Sequence, residues 1–125
     1  AAVADYCPAT FAKSKIKREA ETLTLELTRV PDIISEVEGT LVKVGFAAES
    51  ENLVENAKRK LREKRLDLIV ANDITATDSG FDVDTNKVTL INREGDVESL
   101  PLSLKSEVAH RILDKVVELI TEERR

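Results

Sequence analysis

Residues 41–73 read LVKVGFAAESENLVENAKRKLREKRLDLIVAND, and the fold is decided in this stretch. Leu41-Val42-Lys43-Val44-Gly45-Phe46-Ala47 has the branched and aromatic content of a strand. Ala48-Glu49-Ser50 then leads into a helix from Glu51 to Lys64. At ~100° per residue, Leu53, Val54, Ala57 and Leu61 make its apolar stripe. Leu66 to Ala71 follows, mostly apolar, as a strand covered on both faces. A strand, a helix and a strand in about 30 residues form a right-handed parallel crossover.

The flanks extend this unit. Ala1 to Ala4 is an apolar run ending on Asp5-Tyr6, and Leu23-Thr24-Leu25-Glu26-Leu27 alternates like a strand with one wet face. Between them lies a lysine-bearing stretch without period, the composition of a solvated loop. Pro31 opens a short helix from Asp32 to Glu38, closed by Gly39. After a loop from Asn72 to Phe81, Lys87 to Asn92 and Val97 to Leu100 read as a hairpin joined by Arg93-Glu94-Gly95-Asp96. Ser103 reads as the cap of a long helix with Val108, Ile112, Val116 and Ile120 repeating every four residues and Ala109, Leu113 and Val117 beside them. These elements predict an α/β fold: a Rossmann-like, mainly parallel sheet with flanking helices and an antiparallel hairpin at one edge. The 125 residues read as a single domain or subdomain. The apolar start without methionine suggests a piece of a larger domain.

Composition narrows the function. A net charge of −5, with one Tyr and three Phe, argues against nucleic acid, which needs a basic footprint and stacking platforms. One cysteine makes no internal disulfide, so a reducing, cytoplasmic setting is expected. No apolar run approaches the ~20 residues of a membrane span. Asp82-Val83-Asp84-Thr85-Asn86 begins like a calcium loop, but Lys87 stands where the sharp turn needs glycine. His110 falls on the far side of the last helix from Val108 and Ile112, which leaves Cys7 without a base to activate it. No GxGxxG or Walker A loop is present.

In open α/β sheets, ligands sit beyond the carboxyl ends of parallel strands. Three strand ends therefore draw attention: Asp5-Tyr6, Phe46 to Glu49 and Asn72-Asp73, although the same residues also serve as plain turn caps. Within the basic run 58–65, Arg59 and Arg62 lie away from the apolar stripe, while Lys60 and Lys64 fall on its margin one turn apart. Two such ammonium groups repel by a few tenths of a kcal/mol. An anion held between them is preferred to plain solvation. Lys15, Lys17 and Arg18 form a second basic cluster. A mobile lysine loop could close over phosphates, yet exposed loop lysines are common, and on the residues alone the solvated reading is preferred.

Taken in order, AAVADY at 1–6, Lys15-Ile16-Lys17-Arg18, Val30-Pro31-Asp32-Ile33, VGFAAE at 44–49 and LDLIVAND at 66–73 closely resemble the C-terminal part of phosphopantothenate–cysteine ligase. In many bacteria and archaea that part is fused behind a flavin-dependent decarboxylase. The resemblance covers essentially the whole chain. It implies a ligase of coenzyme A biosynthesis that joins 4′-phosphopantothenate to L-cysteine through an acyl-cytidylate, using CTP and Mg2+. FMN would belong to the fused decarboxylase alone. By position, Lys15 and Asp5 match the residues closest to the chemistry, with Lys17 and Arg18 supporting Lys15. Ala1, Ala2, Asp5, Lys15, Pro31, Asp32, Ile33, Ile34, Phe46, Lys60 and Lys64 match nucleotide contacts; metal ligands are not identified. Cys7 replaces an arginine common after Asp-Tyr. The resemblance also implies a homodimer in the full protein. The family's upstream half, with its glycine-rich strand–loop–helix, does not occur in these residues, so they are expected to bind nucleotide weakly and to catalyse nothing alone. The alternative is a non-catalytic α/β nucleotide-binding or assembly module.

Overall fold

A computed structural model describes residues 3–16, 21–76 and 83–123, and the chain divides into two compact units, Ala1–Val37 and Glu38–Arg125.

In the first unit, β1 (Tyr6–Pro8) pairs antiparallel with β2 (Leu27–Arg29), Tyr6 opposite Arg29 and Pro8 opposite Leu27. Val30 N–H donates to the Asp5 carbonyl at 3.0 Å, and Ala9 N–H to that of Glu26 at 2.9 Å. The strand expected at Ala1 to Ala4 is therefore not found where it can be followed. Ala1 and Ala2 lie outside the described residues, and Val3 and Ala4 belong to no regular element. The strand expected at Leu23 to Leu27 begins only at Leu27, because the short partner containing Pro8 offers few ladder bonds. The helix after Pro31 is one turn, α1 (Ile33–Glu36), with Ser35 and Glu36 N–H groups donating to the Asp32 carbonyl.

The second unit holds the core. Its sheet runs β3 (Val44–Glu49), β4 (Leu68–Asp73), β6 (Val88–Asn92), β7 (Val97–Ser99) in spatial order, after β5 (Thr85–Asn86) has paired elsewhere with β8 (Ser103–Leu104). The crossover helix is α2 (Leu53–Glu63), and α3 (Lys105–Glu123) closes the chain. β3 and β4 are parallel; β4–β6 and β6–β7 are antiparallel. The α/β class and the edge hairpin hold. The sheet is mixed rather than mainly parallel, because among the described residues the one parallel pairing is the one made by a helical crossover.

Strand alternation divides the core between two faces. Leu68, Val70, Val88 and Leu90 pack with Val108 and Leu119 of α3, joined by half-buried Ile112. Ile69, Ala71 and Ile91 project the other way, toward the side of α2 that carries Ala57 and Leu61, all buried. Val54, expected in that stripe, is 38% exposed; half-buried Asn56 and Lys60 occupy the margin instead. On α3 the strict four-residue repeat also fails. Four residues turn ~400°, so the repeat winds off the buried face: Val108 and Leu119 are buried, whereas Ala109, Leu113, Val117 and Ile120 are exposed. Ser103 does not cap α3; it sits in β8 opposite Asn86. The start of α3 is held by Glu107, whose carboxylate accepts from the Leu104 N–H at 3.2 Å, half of a capping box. His110 is exposed, as its place on the helix required.

Helix α2 ends without glycine. Arg65 takes the left-handed conformation, φ 51°, while Leu66 N–H reaches back to the Leu61 carbonyl at 2.9 Å, a Schellman closure. A side chain at this φ costs about 1 kcal/mol. Arg65→Gly is therefore expected to raise stability by about 0.5–1 kcal/mol, read as a higher thermal midpoint; a midpoint unchanged or lower would refute the strain.

Between β7 and α3, the Glu98 carboxylate accepts from Arg111 and lies 3.4 Å from the Lys115 ammonium. The Arg111 hydrogen bond, with Lys115 adding to it, holds Glu98 below the usual carboxylate range. The stability it lends is therefore complete above an unfolded value of ~4.3 and is lost as pH falls through the depressed folded value. Thermal midpoints should be level from about pH 7 to pH 5 and drop below about pH 4, with a shallower drop in Glu98→Gln. The same ion pairs should weaken in ~1 M salt. Among the described residues, no helix is long and apolar enough to cross a membrane.

Candidate functional site

The carboxyl ends of β3 and β4 carry a polar cluster. Glu49 and Asp73 are register partners, and Ile74 N–H donates to the Glu49 carbonyl at 3.2 Å, tying the two ends together. Helix α2 then runs back along the strands and delivers two donors to Glu49, which is only 8% exposed. The Lys60 ammonium lies 2.6 Å from Oε1, and the Asn56 amide donates to Oε2 at 3.2 Å. Asn56 and Lys60 are one turn apart, on the same side of the helix. Asp73 accepts from the Thr75 hydroxyl at 2.6 Å and from the Thr75 N–H at 2.9 Å. The Thr75 hydroxyl, then its N–H, holds the Asp73 carboxyl below its ordinary range, with Lys87 assisting.

Lys60 and Lys64 both sit half-buried on the helix margin, with Arg59 and Arg62 exposed, as the wheel requires. The structure adds a countercharge for Lys60: the Glu49 carboxylate. Lys64 is the C-cap of α2, one turn nearer the amino ends of the strands. Phe46 lies three residues before Glu49, so it points to the opposite face of the sheet, and it is 74% exposed. The structure thus keeps Lys60 with Glu49 and sets Phe46 on the other face of the same strand.

In the first unit, the Val30–Asp5 hydrogen bond puts Asp5 beside the segment Pro31 to Ile34. Pro31, Asp32 and Ile33 are exposed and Ile34 is half-buried; Lys15 is exposed and outside regular structure. Ala1, Ala2, Lys17 and Arg18 lie outside the described residues. Arg29, across from Tyr6, is a cation that sequence reasoning did not single out. Its guanidinium is favoured in the charged form chiefly by a hydrogen bond to Tyr6, with Asp5 contributing. Glu49 lay within one of the strand ends picked out by sequence, but its pairing with Lys60 was not foreseen, and Asn56 was missed although it shares the i, i+4 spacing that drew attention to Lys60 and Lys64.

Two other features are weaker candidates. A cavity of about 320 Å3 between β7 and α3 has Leu68, Leu90 and Leu119 in its lining, but the carboxylates of Asp96, Glu98 and Glu118 outnumber the one cation, Lys115, around it. That rim repels phosphate, and the cavity lies at the amino end of β4. Among the described residues, no three His, Cys, Asp or Glu side chains gather to hold a metal ion.

Comparison with known proteins gives concordant results. The family described as DNA/pantothenate metabolism flavoprotein C-terminal domain matches residues 1–120. The chain is 42% identical over 122 residues to the coenzyme A biosynthesis bifunctional protein CoaBC of Bacillus subtilis, covering 95% of this chain and 30% of that protein. A crystal structure of the C-terminal domain of a CoaBC protein superposes with a TM-score of 0.71 at 37% identity, covering 98% of this chain and 53% of that one. A Cab2 mutant in complex with phosphopantothenate-cysteine shares the fold, with a TM-score of 0.60 at 16% identity over 82% of this chain and 35% of that one. The chain thus spans about a third of the curated relative and about half of the solved domain.

Proposed function

Because this chain belongs to the DNA/pantothenate metabolism flavoprotein C-terminal domain family, we propose that it is the C-terminal part of a ligase joining 4′-phosphopantothenate to L-cysteine with CTP. The observation that carries the reading is the match over residues 1–120, within which lie all the cations and strand ends assigned to the nucleotide. The phosphopantothenate carboxylate attacks the α-phosphorus of CTP, and pyrophosphate leaves. The cysteine amine then attacks the acyl carbon and CMP leaves, giving the amide. Both steps gather negative charge on phosphate oxygens, and fixed cations stabilise such charge. Lys15 is assigned to the triphosphate, with Lys17 and Arg18 in support. Asp5, Ala1 and Ala2 take the acyl-nucleotide and Pro31 to Ile34 the nucleotide through backbone groups; Phe46, on the other face of β3 from Lys60, takes the base of a nucleotide that reaches round the sheet edge or is held by a second copy of the chain. Lys60 and Lys64 take phosphate oxygens.

The described residues do not fit a Mg2+ cage, since Glu49 and Asp73 are already engaged by protein donors. The ion would arrive on the phosphates of the nucleotide. FMN would belong only to a decarboxylase fused to this domain, and the reading carries with it a homodimer working in the cytoplasm.

The full-length gene product, given 4′-phosphopantothenate, cysteine and CTP, is expected to release pyrophosphate and form phosphopantothenoylcysteine, followed by mass spectrometry. Residues 1–125 alone should do neither. Pyrophosphate released with ATP but not CTP would overturn the nucleotide assignment, and no product with either would overturn the ligase. A non-catalytic nucleotide-binding or assembly module of the same fold is the second reading; it would bind nucleotide without releasing pyrophosphate.

A further inference from the structure

We propose that Glu49 is a positioning residue that fixes the Lys60 ammonium where a nucleotide phosphate meets it; this rests on the nucleotide-binding reading of Lys60. The Glu49 side chain is 9% exposed and that of Lys60 38% exposed. A carboxylate so buried needs donors on both oxygens. Lys60 serves Oε1 at 2.6 Å and Asn56 serves Oε2 at 3.2 Å. Asn56 is itself anchored, donating to the Glu51 carbonyl at 2.9 Å. If Lys60 swung away to follow a ligand, Glu49 would stay buried with a neutral amide as its side-chain donor. Leaving a carboxylate so buried without its countercharge is unfavourable, even though the Lys60 side chain itself is 38% exposed. Lys60 therefore keeps Glu49 when ligand arrives.

An ammonium has three N–H donors. The bond to Glu49 takes one and turns the others away from the carboxylate, on the accessible side of the group. Lysine ordinarily acts as a point charge on a flexible stem. Tethered here, it becomes a directed donor at the carboxyl end of the parallel pair. The Glu49–Lys60 pair is neutral as a whole and Asp73 stands beside it, so what Glu49 contributes is geometry rather than net positive field.

The test uses the full-length gene product with CTP as the varied substrate, in Glu49→Ala, Glu49→Gln, Lys60→Gln and Glu49→Ala/Lys60→Gln proteins. Glu49→Ala is expected to raise KM for CTP about tenfold with kcat changed far less. Glu49→Gln, which keeps an acceptor oxygen and the shape, should raise it less and guards against a folding defect in the alanine variant. In the Lys60→Gln background, Glu49→Ala should add nothing, since the two residues act as one. Equal effects in both backgrounds, or tighter CTP binding without Glu49, would overturn the proposal, the latter by making Glu49 a competitor for Lys60. An impaired Lys60→Gln with both Glu49 single variants silent removes this inference alone. An unimpaired Lys60→Gln removes the nucleotide reading of Lys60, and this inference with it.

Discussion

Lys15→Gln in the full-length gene product is expected to slow CTP-dependent pyrophosphate release by about 10²–10³-fold, the usual cost of removing one group that stabilises developing charge. The same change at Lys13 should alter the rate less than about twofold. The two residues make a matched pair: both are lysines in the first unit, both exposed, two positions apart and outside regular structure. Each removes the same long-range charge, so a difference between them reports a contact made at the phosphate. Gln keeps a polar side chain of similar reach but carries no charge, so binding through the rest of the nucleotide survives and the loss falls on turnover. Equal, small effects in a steady-state pyrophosphate assay would favour the non-catalytic module.

Asp67→Ala carries the largest expected effect on stability, a loss of about 2–3 kcal/mol. Asp67 stands just before β4 and clasps three segments. Its Oδ2 accepts the Lys43 N–H at 2.7 Å, its Oδ1 accepts from Arg93 at 3.0 Å, and its carbonyl accepts the Arg93 N–H at 3.1 Å. Alanine keeps the last bond and abolishes the first two, leaving a part-buried N–H without an acceptor. Asp67→Asn retains an acceptor oxygen and should lose about half as much. Thermal unfolding reads the total, and faster hydrogen exchange at the Lys43 amide localises it. An Asp67→Ala protein with wild-type midpoint and unchanged Lys43 exchange would show that the clasp is dispensable.

The strand–helix–strand unit was legible because burial on both sides of β4 writes itself as the apolar run Leu68 to Ala71, and the stripe on α2 has helical period. The two-residue strands β5 and β8 were not, since two residues show no alternation. The first unit was the least legible. Leu23 to Leu27 has the pattern of a strand, but pairing depends on a partner that pattern does not name. At the candidate site, the margin position of Lys60 followed from angle alone. Its partner did not, because the reach of a side chain from one element to the end of another is set by tertiary packing. Glu49 read as part of the lead from the strand into the helix, yet it is the last residue of β3.

The alternation along β3 has a practical outcome for labelling experiments. An acylating reagent that modifies Lys60 and an oxidative probe that reaches Phe46 sample opposite sides of one sheet, so their protection patterns are independent reporters. A small ligand lying over one side would shield one signal and spare the other. A ligand that shielded both would have to bend around the border of the sheet or be shared between two copies of it.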